Sequence, residues 1–135
     1  MKLIMLAPLA LVLSLAGAPA LAEIVVVVNP KNPATRMFAT QASQFFLGKS
    51  TMFTPVDQSE GSPIRAEFYK KCAGKEAAEV NAIWSKIVFT GKGRPPKVYA
   101  SAAEVKKAVA ADVNAIAYID KAELDDSVKA ILSLP

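Results

Sequence analysis

The stretch Val56-Asp57-Gln58-Ser59-Glu60-Gly61-Ser62-Pro63-Ile64-Arg65 concentrates the residues of this chain best suited to chemistry. A polar turn runs into Gly61 and then Ser62, which suits a helix N-cap. Pro63 follows at the first helical position, where its missing N–H costs nothing. The first N–H groups of a helix are unpaired and sit at the positive end of its dipole, so such an end accepts anions. Arg65, one turn in, can add a fork of donors. The chemistry on offer is therefore capture of a small oxyanion by backbone N–H groups, the Ser59 and Ser62 hydroxyls and Arg65. An ordinary helix entry after a loop would carry the same residues.

Other chemistries find less support. The chain has no His, which removes the commonest general base and the commonest metal ligand, so a Ser-His-Asp triad is excluded and no metal site is expected. Cys72 is the only cysteine and cannot form an internal disulfide; before Gly74 in a helix, it reads as a part-buried small apolar residue. Glu123, Asp125 and Asp126 cluster near the C-terminus, and Asp57 and Glu60 flank the loop, but adjacent carboxylates form solvated caps more often than acid/base pairs. No enzyme and no cofactor are expected. Gly91-Lys92-Gly93-Arg94 lacks P-loop spacing and reads as a turn. The net charge of +4 is spread over scattered Lys and Arg without interleaved aromatics, which argues against nucleic acid.

These residues need a frame. Residues 1–22 read as a cleaved leader: Lys2 as a positive start, an apolar run from Leu3 to Leu15, and Ala20-Leu21-Ala22 as a small-x-small cleavage site. The run is shorter than the roughly 20 residues that span a bilayer, so no stable membrane span is expected after cleavage. Residues 23–135 then suit one domain, exported to the periplasm.

Ile24–Val28 is a β-branched run ended by Asn29-Pro30 and predicts a strand buried on both faces. A loop over 29–35 leads to a short helix over 39–47, with Thr40 read as its cap and Gly48 closing it. Met52–Val56 predicts a strand that Asp57 ends. Ile64, Phe68 and Cys72 form a core stripe on a helix from Pro63 to Ala73. A helix over 76–89 carries Val80, Ile83, Trp84 and Ile87 on one face. After the Gly/Pro-rich break at 91–96, a short strand covers 97–100. Ser101 and Glu104 form a capping box opening a helix to about Ala111. Strands over 114–119 and 128–132 close the order. Trp84, Tyr118, Met37 and Met52 read as packing residues. The alternation predicts an α/β fold, a mixed sheet flanked by helices.

Several segments together resemble the PstS-like, phosphate-binding periplasmic substrate-binding proteins of ABC transporters. Val28-Asn29-Pro30 resembles that family's strand crossing between lobes, and Phe45-Phe46-Leu47-Gly48-Lys49 its I-F-x-G-K helix end. Asp57 to Phe68 is similar to its ligand loop and helix, Trp84 to Gly91 to the segment that follows, and Asn114-Ala115-Ile116-Ala117-Tyr118-Ile119 to its g-A-I-G-Y strand. The resemblance covers most of residues 24–120 and implies a single-lobe domain of the periplasmic-binding-protein kind.

It also implies ligand-binding residues: Gln58, Ser59, Glu60, Gly61 and Ser62, with Arg65 beside them. The family's loop reads approximately R-x-D-G-S-G-T. Here Gln58 replaces its Arg, Glu60 its Asp, and Pro63-Ile64 its Gly-Thr. The first change loses a positive charge and a bidentate fork, and the last loses an N–H and a hydroxyl. Arg65 is new to the pattern and a candidate to restore the charge. Such proteins close two lobes around ligand, and this chain is too short for both. The implied partners are phosphate or another oxyanion, an ABC permease or other envelope protein, and a second copy in a homodimer. The alternative is an envelope interaction module that keeps the lobe without the ligand.

Overall fold

Five consecutive β-branched residues form β1 (Ile24–Val28), and all five side chains are buried. The computed structural model describes residues 23–135; the leader expected over 1–22 lies outside them. The other elements are α1 (Ala39–Phe46), β2 (Thr54–Gln58), α2 (Pro63–Ala73), α3 (Ala77–Phe89), β3 (Lys97–Tyr99), α4 (Ala102–Ala111), β4 (Ala115–Asp120) and β5 (Lys129–Leu134). A short 3-10 turn, Lys121–Glu123, joins the last two strands.

The strands make one mixed sheet in the order β3-β2-β4-β1-β5. β2 runs parallel to β3 and β4, while β1 is antiparallel to β4 and β5. Alternation along β1 sends Ile24, Val26 and Val28 to one face and Val25 and Val27 to the other, as the β-branched run predicts. On the first face lie α1, α2 and α3, with Phe46, Phe68, Tyr69 and Val80 in the core. On the second, α4 contributes Val105 and Val109. Over the described residues the fold is thus α/β, a five-stranded mixed sheet flanked by four helices.

Three local expectations are corrected. β2 begins and ends two residues later than the expected Met52–Val56, because Asp57 sits inside the ladder opposite Val98 with its charge satisfied internally. Met52 is 76% exposed, and Phe53 takes the packing place, its ring centroid 4.9 Å from that of Phe45. Thr40 is not the cap of α1. Phe38 stands there, and its N–H donates to Gln41 Oε1 at 3.0 Å.

Elsewhere the local chemistry is largely as read. Ser101 Oγ accepts from the Glu104 N–H at 3.2 Å, but Glu104 takes the Ala100 N–H at 3.0 Å rather than that of Ser101, so only the Ser101 half of the expected capping box forms. Gly48 closes α1 with φ +73°, a left-handed conformation that costs glycine little. A Cβ there would also meet Ile87 Cδ1 at 2.7 Å. Cys72 is buried, and burial pushes its thiol up to about 11.

Candidate functional site

β2 delivers Asp57 and Gln58 to its C-terminal end, and residues 59–62 turn the chain directly into α2. Asp57 points to the three-helix face, where four donors converge on it. The Gln58 N–H donates to Oδ1 at 2.8 Å, and the Tyr118 hydroxyl donates to the same oxygen. The Tyr69 hydroxyl donates to Oδ2 at 2.7 Å, and Arg65 Nε lies 3.4 Å from that oxygen. A buried carboxylate tolerates desolvation only with such partners.

The aromatic core holds these donors in place. Phe68 stacks on Tyr118 with ring centroids 3.9 Å apart and planes 5° from parallel. Both tyrosines are pushed well above the ordinary phenol range, first by burial and then by the Asp57 carboxylate. They remain protonated and act as fixed donors.

Arg65 projects inward from the first turn of α2 and is 6% exposed. Its Nη2 donates to Asn81 Oδ1 on α3 at 2.8 Å, and its guanidinium lies 5.1 Å over the Tyr69 ring. Nη1 is buried without a partner among the described residues. Asn81 Nδ2 donates in turn to Glu60 Oε1. One chain of contacts, Asp57–Arg65–Asn81–Glu60, therefore ties β2, α2, α3 and the loop together.

The remaining predicted residues are placed as follows. Gln58 is buried, and its Nε2 donates to the Tyr118 carbonyl at 2.8 Å. The Ser59 N–H and hydroxyl both face the Tyr99 carbonyl, at 3.1 and 3.4 Å. The Ser62 N–H donates to the Ser59 carbonyl at 2.8 Å, and the Ser62 carbonyl accepts from the Arg65 N–H at 3.1 Å. Ser62 is the N-cap residue by backbone, but its hydroxyl makes no cap bond. Among the described residues, the N–H groups of Glu60, Gly61 and Ile64 keep no backbone partner.

A cleft of about 720 Å³ opens beside this network, between α3 and the start of β3. Its polar side is Asp57, Gln58, Glu60, Arg65 and Asn81; its apolar side includes Trp84, Val88, Phe89 and Val98. Phe89 is 92% exposed. Gln58, Glu60 and Arg65 thus meet at the cleft, while Ser59, Gly61 and Ser62 lie in the adjoining loop and do not line it.

Sequence reasoning missed Asn81 and the hydroxyls of Tyr69 and Tyr118. The spacing of Arg65 and Tyr69, four apart on α2, was the available signal, since it places both on one side of the helix. At the other end of the chain, the Asp125 carboxylate is held down to about 2, first by the hydrogen bond from Lys106 and then by Ser127. Among the described residues no group of three or more His, Cys, Asp or Glu is placed to hold a metal ion. No helix among them is long and apolar enough to cross a membrane.

No protein-family model and no curated protein matches this chain. Solved structures do match. A protein provisionally assigned as a phosphate ABC transporter substrate-binding protein, from Clostridium perfringens and solved with bound phosphate, superposes with a TM-score of 0.66 at 23% identity. That match covers 82% of this chain and 45% of the other. An ABC-type phosphate transport receptor from Vibrio cholerae gives 0.64 at 22% identity, over 82% of this chain and 46% of that one. PstS from Borrelia burgdorferi gives 0.58 at 12% identity, with 82% and 47% covered. The likeness is one of fold: this chain is similar to a PstS-like single lobe and spans less than half of each of those chains.

Proposed function

We propose that this protein is a periplasmic, non-enzymatic solute-binding module, released from a leader over residues 1–22, that takes a small oxyanion at the start of α2. Phosphate is the first candidate. The observation that carries the reading is Arg65: a guanidinium almost wholly buried at the edge of the cleft, with Nη1 unpaired, beside N–H groups of Glu60, Gly61 and Ile64 that have no backbone partner. A buried guanidinium N–H without a partner favours an anionic acceptor, and the N–H groups of Glu60 and Gly61 add donors at the surface beside it. Gln58, Ser59, Glu60, Gly61, Ser62 and Arg65 form the binding segment. The fold it shares with proteins solved as phosphate carriers supports the same ligand class.

Affinity is modest. Asp57 and Glu60 stand near the anion with one guanidinium to offset them, and the cleft is open to water, which screens each charge pair. A second copy of the chain or a permease face would complete the enclosure. Calorimetric titration of phosphate into the purified protein tests this. Saturable heat that weakens with added salt and in Arg65→Lys is the expected result; no heat at millimolar phosphate overturns it.

A second reading follows from the other side of the cleft. Val88, Phe89 and Val98 are exposed side chains on one rim, and an apolar patch of this kind suits a protein partner in the envelope. In that case Phe89→Ser would abolish association, and phosphate would give no heat with either form of the protein.

A further inference from the structure

The sheet stops short at one edge. β3 pairs with β2 only over Val56–Gln58, so Thr54 and Pro55 have no strand on that side. Pro55 also has no N–H to offer one. The helices of the two faces part at this gap, and residues 91–96 cross it, leaving a groove of about 530 Å³. Phe45, Phe53, Trp84 and Ile87 wall it from one layer, and Tyr99 and Ala108 from the other. This volume falls within the range of small-molecule sites.

The charge at its rim is one-sided. Lys92, Arg94 and Lys97 line the groove against one acid, Asp112, which already accepts the Asn114 N–H at 2.9 Å. None of the three cations joins an ion pair among the described residues. The cleft at α2 has the opposite balance, with Asp57 and Glu60 against Arg65. Gly93 lets the crossing segment lie close on α3, since a Cβ there would come 3.2 Å from Ile87 Cγ2.

We propose that this groove is a second ligand site, separate from the start of α2, and that it takes a small amphipathic organic anion. The carboxylate or phosphate-ester head sits among Lys92, Arg94 and Lys97. The alkyl or aromatic body lies between Phe53, Ile87 and Ala108. An inorganic ion would leave the apolar walls wet, and a neutral hydrocarbon would leave three cations unmatched. The turn at 91–94 is thus a cationic rim over an apolar floor.

Trp84 is the single tryptophan of the chain and lines the groove, with its Nε1–H fixed on the Phe46 carbonyl at 2.8 Å. Trp84 also borders the cleft at α2, so its emission responds to a ligand in either place, and reversing the groove's own cations assigns the change to the groove. Decanoate titrated into the purified protein should change Trp84 fluorescence saturably, and decanol should bind far more weakly. Reversing two exposed cations, Arg94→Glu with Lys97→Glu, should weaken decanoate by about tenfold, given the modest value of each exposed charge contact. Circular dichroism should show the fold of that variant unchanged. Phe89→Ser, at the other cleft, and added phosphate should leave the titration unaltered. Equal binding of decanol, affinity within about twofold after charge reversal, or no saturable change overturns the proposal. Phosphate binding at α2 can succeed or fail independently of this result.

Discussion

Arg65 Nε lies 3.4 Å from Asp57 Oδ2, and both side chains are more than nine-tenths buried. Two opposite charges thus share the interior between β2 and α2, eight residues apart in sequence. A buried pair adds little net stability over apolar packing, but breaking it leaves an uncompensated charge. Arg65→Ala and Asp57→Ala should each cost about 3–5 kcal/mol in denaturant unfolding. The double variant should cost clearly less than their sum, because neither charge is then left alone. Additive losses would mean the two groups do not interact.

The tyrosine donors give a pH dependence with a definite sign. Folding raises both phenols above their ordinary value of 10.0, so the folded protein holds protons that the unfolded chain releases. Their stabilisation is fully present below pH 10 and is lost as pH climbs above it. Alkaline unfolding should therefore set in from about pH 10, and the slope should be shallower in Tyr118→Phe. That variant should also lose about 1–3 kcal/mol at neutral pH, because an Asp57 lone pair goes unsatisfied. Thermal melts from pH 7 to 11 would measure both effects.

Cys72 offers a probe of local opening. Its thiol is buried and raised to about 11, so little thiolate exists at neutral pH. Alkylation by iodoacetamide at pH 8 should be slow in the folded protein and become fast in denaturant. Fast labelling of the native protein would show that the contact between α1 and α2 opens readily.

Gly48 joins α1 to the body of the lobe through α3. Its φ of +73° opposes a side chain, and an added Cβ would stand 3.0 Å from Cη2 of the Trp84 ring besides displacing the tip of Ile87. Gly48→Ala should destabilise by about 1–3 kcal/mol through strain and overpacking. Gly61, which faces open space, should accept Ala at little cost. Unfolding curves of the two variants separate these effects.

The order of strands and helices is legible in the sequence because the hydrophobic patterns are clean. Ile24–Val28 fits only a doubly buried strand, and Ser101 with Glu104 marks a helix start by chemistry alone. The end of β2 is not legible, for a physical reason. Asp57 has the character of a breaker because an isolated carboxylate belongs in water, yet it lies inside the sheet with four donors around it. One of those donors, Tyr118, is 61 residues away, and no local pattern pairs them. The Tyr118 ring is core, as its neighbours in sequence suggest; the role of its hydroxyl depends on the stacking of Phe68. Arg65 is legible as a candidate charge near the loop, but its tie to Asn81 arises only when α2 packs on α3.

The claim that an oxyanion sits at the start of α2 is tested most directly by recording amide proton–nitrogen correlation spectra during a phosphate titration. Binding there should give saturable shifts concentrated at Glu60, Gly61 and Ile64, with the Arg65 guanidinium Nε–H moving in step and the shifts reduced in Arg65→Lys. An unchanged spectrum at millimolar phosphate, or shifts spread over surface lysines with no focus at residues 58–65, would refute the claim.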